Sequence, residues 1–439
     1  MALDPAVMKA VEQLGYRVTV GDVASQAGMN VQLAEQGLLA LASETGGHMQ
    51  VSETGEIAYL FPPNFRAVLQ GKYLRLRLQE WWQRIWRVLF YCIRISFGII
   101  LLLSILLIVL TIIAILIALS SSRSSDDQGN ESDFGGTFSM PNVWLGPDWY
   151  WIFLPDFGDR PSPRHRKPEG ERMGFLEAIY SFLFGDGDPN ANLEERRWQA
   201  IATTIRNHGG AIVAEQIAPY LDDLGSPSSQ EFEDYMLPVL TRFNGRPAVS
   251  PTGQLVYYFP DLQVTAEERR SSPVAAYLRE LPWRFSKASS GQIMAALGLG
   301  VFNVVAALVL GRLLVDPNVQ EIIQQTGGLP GFVAGIYGIL LAYGTGFLAI
   351  PLVRYFWVQA RNKQIESRNA QRALRAEALN AAGDTVLRKL DYAKQFAAMT
   401  VINAADAVYS TERDLTEQEL ERKDQIDAEW QQRLEQSGS

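Results

Sequence analysis

Residues 95–119, ISFGIILLLSILLIVLTIIAILIAL, run for 25 positions with no charge and no proline. As a helix this stretch is about 37 Å long, enough to cross the hydrocarbon core of a bilayer with some tilt. It has no polar face to turn to water, so it predicts a membrane span rather than the buried helix of a soluble core. Two further apolar runs follow at 293–315 and 332–353. Their small residues (Gly298, Gly300, Ala306 and Ala307; Gly335, Gly338, Ala342 and Gly346) suit close helix–helix packing. The short connection at 316–330 contains no Lys or Arg, so the two runs predict a transmembrane hairpin.

Charge around these spans points in one direction. Residues 66–94 carry Arg66, Lys72, Arg75, Arg77, Arg84, Arg87 and Arg94 against Glu80, with Trp81, Trp82 and Trp86 among them as an interfacial belt. Arg279, Arg284 and Lys287 precede the second span. Arg354, Arg361, Lys363, Arg368, Arg372 and Arg375 follow the third, opposed by Glu366. All three flanks favour the cytoplasmic or stromal side. A single crossing at 95–119, however, puts the N-terminus and 272–292 on opposite sides. Either the charge rule fails over 120–290, or the chain returns through a segment that hydropathy does not reveal. The stretch 142–157, NVWLGPDWYWIFLPDF, suits an interfacial or re-entrant contact, but is too short and too rich in proline and aspartate for a span.

Flanking the first span, the polar parts of the chain repeat themselves. VSETGEIAYLFP at 51–62 returns as VSPTGQLVYYFP at 249–260, and the same offset of 198 lays Glu35 on Glu233, Leu39 on Leu237 and Gly47 on Gly245. Copy one predicts helices at 6–14, 20–26 and from an Asn30 cap to 43. Strands at 48–52 and 57–61 follow, around a tight turn at 53–56. Copy two predicts helices at 198–207, 213–220 and 228–242, then strands at 248–250 and 255–259 around 251–254. Both have the layout of a winged helix. The fold expected is a mainly α membrane protein with two small α+β winged-helix-like domains. In order these are domain 1 (1–66), a basic and aromatic lead-in with the first span (67–119), and a disordered linker with an aromatic interfacial segment (120–189). Domain 2 (190–265), the hairpin (293–315 and 332–353) and a charged helical C-terminal region (354–439) complete the chain.

Winged helices commonly bind DNA, but phosphate contacts need Lys and Arg. Residues 30–45 hold none and carry Glu35 and Glu44; 228–243 carry Glu231, Glu233 and Asp234 against Arg242. Net charge is −9. Protein docking is therefore expected and nucleic acid is not. The single cysteine, Cys92, excludes an internal disulfide and a self-sufficient iron–sulfur cluster, and its place in the first membrane helix suits a small apolar role. Residues 185–190, GDGDPN, open like a calcium loop but fail it, with Ala191 where glycine and Arg197 where glutamate is required. A turn feeding a helix, with Asn192 and Glu195 as its capping box, accounts for them. Nothing fixes a cation geometry for Asp156, Asp159, Glu169 and Glu177. No phosphate loop, zinc motif or catalytic constellation is present, so no catalytic, cofactor-binding or metal residue is assigned and no enzyme is expected.

Residues 120–139 read as disordered, and 160–167, RPSPRHRK, as a solvated basic linker. The tail predicts a basic helix at 358–382 broken at Gly383-Asp384. A second helix at 385–409 carries Leu387, Leu390, Ala397 and Val401 on one side, and a last one is capped by Thr416 with Glu419.

FLEAIYSFLFGDGDPN at 175–190 with EERRW at 194–198, VAEQIAPYLD at 213–222 and LPVLTRFNG at 237–245 resemble an integral membrane family of cyanobacteria and plant chloroplasts. Plant members of that family sometimes carry the label "iron-sulfur cluster biosynthesis family protein". The resemblance covers most of 1–400 and is most specific over 175–260. It implies a thylakoid, plasma-membrane or plastid-envelope location and supplies no catalytic residue. One membrane-embedded cysteine gives the iron–sulfur label no ligand set. The function expected is a non-enzymatic scaffold in the lipid bilayer that docks membrane protein complex subunits, plausible clients being photosynthetic. A membrane-tethered DNA-binding regulator is the alternative. Transport, which wants buried charge, finds only Asn303 and the terminal Arg312 as strongly polar side chains in the spans.

Overall fold

A computed structural model describes residues 4–72, 74–123, 173–267, 272–381, 383–403, 407–414 and 416–420, with positions 423, 427, 430 and 431 beyond them. The readings of 124–139, 142–157 and 160–167, and of Asp156, Asp159 and Glu169, lie outside the described residues. The fold is mainly helical, with three long apolar helices and small antiparallel sheets. It divides into one unit of Met1–Gln79, Pro189–Pro282 and Gln364–Ser439, and another of Glu80–Asp188 and Trp283–Lys363.

In the first unit, α1 (Pro5–Gln13) starts where Asp4 accepts the Ala6 N–H and Pro5 presets the first turn. After β1 (Arg17–Thr19), α2 (Val20–Ala27) opens on a reciprocal capping box between Thr19 and Asp22. Asn30 caps α3 (Val31–Thr45), which ends at Gly46 in the left-handed region. β2 (His48–Ser52) and β3 (Ile57–Leu60) close the set, with strand order β1-β3-β2. A short helix α4 (Phe65–Lys72) follows.

The second set runs α7 (Leu193–Asn207), β4 (Ala211–Ile212), α8 (Ala214–Ile217), α9 (Pro227–Glu231), α10 (Leu237–Phe243), β5 (Arg246–Val249) and β6 (Leu255–Tyr258), with order β4-β6-β5. The turn between the last two strands is built the same way in each set. The N–H of Ser52 bonds the Glu56 carbonyl at 2.9 Å, and that of Ser250 bonds the Gln254 carbonyl at 2.8 Å. Gly55 and Gly253 sit at φ +84° and +80°. Gly47 and Gly245 are pressed against the Phe61 and Phe259 rings, where a Cβ would clash or crowd. The two sets share one core, in which Val11, Leu38 and Leu41 join Ile201, Ile217, Val239 and Phe259.

Several expected elements are corrected. Residues 228–242 are not one helix: Glu233 takes φ +56°, and Pro238 cannot donate to the turn before it, so α9 and α10 are separate. Asn192 makes no side-chain cap to α7, so the expected box with Glu195 does not form. The helix predicted at 385–409 stops early. α14 (Asp384–Ala393) is followed by β8 (Thr400–Val401), parallel to β7 (Val264–Thr265), and by β9 (Ala407–Ser410), which pairs antiparallel with β2. Ile402 is buried with Ala58 and Val264, contacts from distant chain that outweigh local helix propensity. Asp414, not Thr416, accepts the Thr416 N–H at the start of the last described helical residues.

In the second unit the apolar runs lie within α5 (Leu74–Arg123), α11 (Ser290–Leu314) and α13 (Gly328–Asn380), each long and apolar enough to cross a membrane. The connection at 316–330 contains a helix of its own, α12 (Pro317–Thr326), capped by Asp316. Residues 175–184, inside the expected 120–189 linker, form α6 (Phe175–Phe184). One end of the bundle gathers Leu101 of α5, Ile179 and Phe182 of α6, Ala296 of α11 and Phe347 of α13. The other gathers Ile108 and Ile115, Ala307 and Leu310, and Val333 and Leu340. Thus α5 and α11 run parallel and α13 runs against both. Of the small residues singled out, Gly300, Ala306 and Ala307 face packed neighbours, whereas Gly298, Gly335, Gly338 and Gly346 have open space where a Cβ would stand.

Candidate docking surface and its internal charge network

α3 turns Val31, Ala34, Leu38 and Leu41 into the core and leaves Gln32, Leu33, Glu35, Gln36 and Leu39 outside. In the second set, Glu231, Phe232, Asp234 and Leu237 are exposed. These elements present acids, amides and apolar side chains. Several bases of these two sets are engaged by partners, while Lys9 and Arg246 are exposed. Arg242 donates to the Gly28 carbonyl at 2.7 and 2.9 Å, and its guanidinium lies 4.4 Å from the Trp198 ring centre. Arg17 holds Gln50 and the carbonyls of Ala266 and Ile402. Arg66 pairs with Glu12, and Arg206 reaches Asp22 and Ser25 at 2.8 Å.

Behind this surface lie three buried charge clusters. The first centres on Asp22, which caps α2 and accepts from Thr19, Arg206, Thr265 and the Ala266 N–H at 2.8–3.0 Å. The second centres on Arg372, 1% exposed, which donates to Asp222, to Glu280 at 2.8 Å and to the Leu278 carbonyl at 3.0 Å. Arg368 holds the same Glu280 at 2.6 and 2.8 Å, and Arg197 holds Asp222. Hydrogen bonding to Arg368 pulls the Glu280 carboxyl below its ordinary range against the opposing effect of burial. For Asp222 burial works upward, but Arg372 and Arg197 together leave it below its usual value. In the third cluster Lys389 sits between Glu215 at 2.8 Å and Glu233 at 2.5 Å. Burial acts to lower this ammonium, and its two carboxylate partners more than reverse that, so it titrates above its usual value. Glu233 also accepts the Tyr257 hydroxyl at 2.9 Å; burial and that carboxylate push the phenol up.

Sequence reasoning counted Arg368, Arg372 and Arg375 only as a basic flank. Their spacing of i, i+4 and i+7 places them on one helical face, a legible sign that they meet a common partner. The partners, Asp222 and Glu280, lie 88 to 153 positions away and had no sequence signal.

Asp186 is a tie within the helical unit. Asp186 accepts from Arg94 at 3.1 Å, Ser181 at 2.6 Å and the Lys287 N–H at 2.8 Å, so its carboxylate is engaged by protein donors. Glu177 accepts the Gly174 N–H at 3.3 Å and caps α6. Among the described residues no group of three or more His, Cys, Asp and Glu is gathered to hold a metal. Cys92 is exposed on α5.

Over 431 residues the chain is 39% identical to an Arabidopsis thaliana protein named "Uncharacterized protein At5g03900, chloroplastic". The alignment covers 94% of this chain and 80% of that protein. No family model and no solved structure matches the chain.

Proposed function

This chain belongs to the family of the chloroplastic Arabidopsis thaliana protein At5g03900, and we propose that it is a non-enzymatic integral membrane scaffold that docks subunits of a membrane protein complex. Its two helix-and-sheet sets are read as winged-helix-like repeats, a reading supported by their shared strand order and identically built turn. The single observation that carries a docking role is the polarity of the presented helices. Leu33, Glu35, Phe232 and Leu237 are exposed while Arg242 is turned onto Gly28 and Trp198. Such a surface offers apolar and acidic contacts to a protein and few cations to a phosphate backbone. The three apolar helices support residence in a membrane. The chloroplastic relative supports a thylakoid, a plastid membrane or the plasma membrane of a cyanobacterium, with a photosynthetic complex as client.

The same layout underlies the competing reading, a membrane-tethered DNA regulator. Because the two sets share a core, the test uses the full chain rather than fragments. Tagged protein is purified from its own membranes in mild detergent, with and without nuclease. A stoichiometric set of membrane-complex subunits unaffected by nuclease is the expected result. Recovery of chromosomal DNA alone, with duplex binding that weakens steeply as salt rises, would sink the scaffold reading.

A further inference from the structure

Helix direction inside the bundle decides which compartment the docking elements face, and charge counting along the chain leaves that question in contradiction. The near end of the bundle is defined by Phe97, Leu101, Ala296 and Phe347 in one cluster. Two polar contacts fix the register there. Asn303 donates to Ser104 at 2.9 Å, and the Tyr343 hydroxyl donates to the Phe97 carbonyl at 2.9 Å. Beyond Phe97, Leu101 and Ser104, α5 continues through Ile108 and Ile115 alongside Ala307 and Leu310, which lie beyond Ala296 and Asn303 in α11. The two helices are parallel neighbours, and α13 returns antiparallel.

Parallel spans begin on the same face. The start of α5, the start of α11 and the end of the membrane part of α13 therefore share one side, together with Arg84, Arg87, Arg94, Arg284, Lys287, Arg354, Arg361 and Lys363. The opposite end carries α12, with Asp316 and Glu321 and no Lys or Arg between 315 and 327. Side-chain pairing removes Arg94, Arg368 and Arg372 from the basic tally, since they pair with Asp186, Glu280 and Asp222. The remaining cations are concentrated on that side, against Arg312 in the last turn of α11 and Arg123 at the end of α5 on the other.

We propose, resting on the reading of α5, α11 and α13 as bilayer spans, that the segments 4–72, 189–267 and 364–420 are all presented to the positive-inside compartment, cytoplasm or stroma, and that the docking partner is met there. The connection between α12 and its neighbouring helices faces the opposite compartment. With α5 and α11 beginning on one face, the charges on the three flanks no longer conflict.

Cys92 is the sole cysteine, so Cys92→Ala provides a cysteine-free background for single probes. Glu53→Cys, Ser290→Cys, Gln324→Cys and Gln364→Cys are each exposed positions. Intact cells of a bacterial host without internal membranes, carrying the protein in the plasma membrane, are treated with a membrane-impermeant maleimide before and after permeabilisation, and the membranes are separately extracted with alkaline carbonate. Labelling of Gln324→Cys in intact cells, with the other three reacting only after permeabilisation and the protein resisting carbonate, is the expected result. Labelling of Ser290→Cys from the side opposite to Glu53→Cys would overturn the parallel arrangement. Labelling of Glu53→Cys, Ser290→Cys and Gln364→Cys together from outside would overturn the assigned compartment. Release by carbonate would instead defeat the membrane reading on which both rest.

Discussion

Arg372 is the residue whose loss should cost the fold most for the fewest atoms. It is almost wholly buried and neutralises Glu280 and Asp222 at once. Arg372→Met removes the buried guanidinium that joins the two acids, leaving Glu280 to Arg368 and Asp222 to Arg197, and should destabilise by roughly 1.5–3 kcal/mol, the usual cost of losing hydrogen bonds to charged groups. Thermal unfolding of the detergent-solubilised full chain measures it. The same cluster sets an acid limit. Both carboxyls are held below their ordinary values, so their stabilisation is complete above the unfolded-state values, 4.5 for Glu280 and 3.8 for Asp222, and is lost as pH falls through the depressed folded ones. Arg372→Met should flatten that acid limb of the melting-temperature profile. Lys389 works with the opposite sign. Its value is raised, so its contribution is full below 10.5 and disappears as pH rises through the folded value. Lys389→Met should remove the alkaline decline, and an unchanged profile would contradict the role assigned to Glu215 and Glu233.

Among the elements, the two repeats differ where their sheets end. The offset of 198 lays Met49 on Pro247. The Met49 N–H points outward to the Thr411 hydroxyl at 2.8 Å, its carbonyl accepts the Thr411 N–H at 3.0 Å, and β2 takes β9 as a fourth strand. Pro247 has no N–H at the matching place, and β5 remains the edge of its sheet. Met49→Pro should therefore release β9 without dismantling β2–β3. Hydrogen exchange checks this: amides at 407–411 lose protection and those at 57–60 keep it. Helix contacts are equally specific. A Cβ on Gly300 would stand 2.6 Å from the Phe347 ring, so Gly300→Val should loosen α11 from α13 at a cost of about 1–3 kcal/mol, read as lowered thermal stability in detergent. Capped helices and the β2–β3 turn were legible because Asn30, Gly46 and Gly55 act within a few residues of themselves. The break at Glu233 and the strands at 400–401 and 407–410 were not, since partners such as Val51 and Val264 lie far off in the chain.

For the molecule as a whole, function and topology depend on one another. A scaffold that meets its client in the positive-inside compartment should retain that client after nuclease treatment, and truncating the tail beyond 403 should leave membrane integration intact while exposing the β2 edge. Carbonate extraction and exchange at 48–52 measure the two effects separately. Three long apolar helices, a repeated stretch of sequence and the acids of the presented helices could all be read from residue order. Each is written in runs, spacings or charges that neighbours along the chain carry together. The shared core of the two repeats, the seating of Arg242 on Trp198, the pairing of Arg372 and the parallel course of α5 and α11 could not be read that way. They arise when surfaces far apart in the chain pack against one another, and hydrophobic periodicity states which face of a helix is buried but not what buries it.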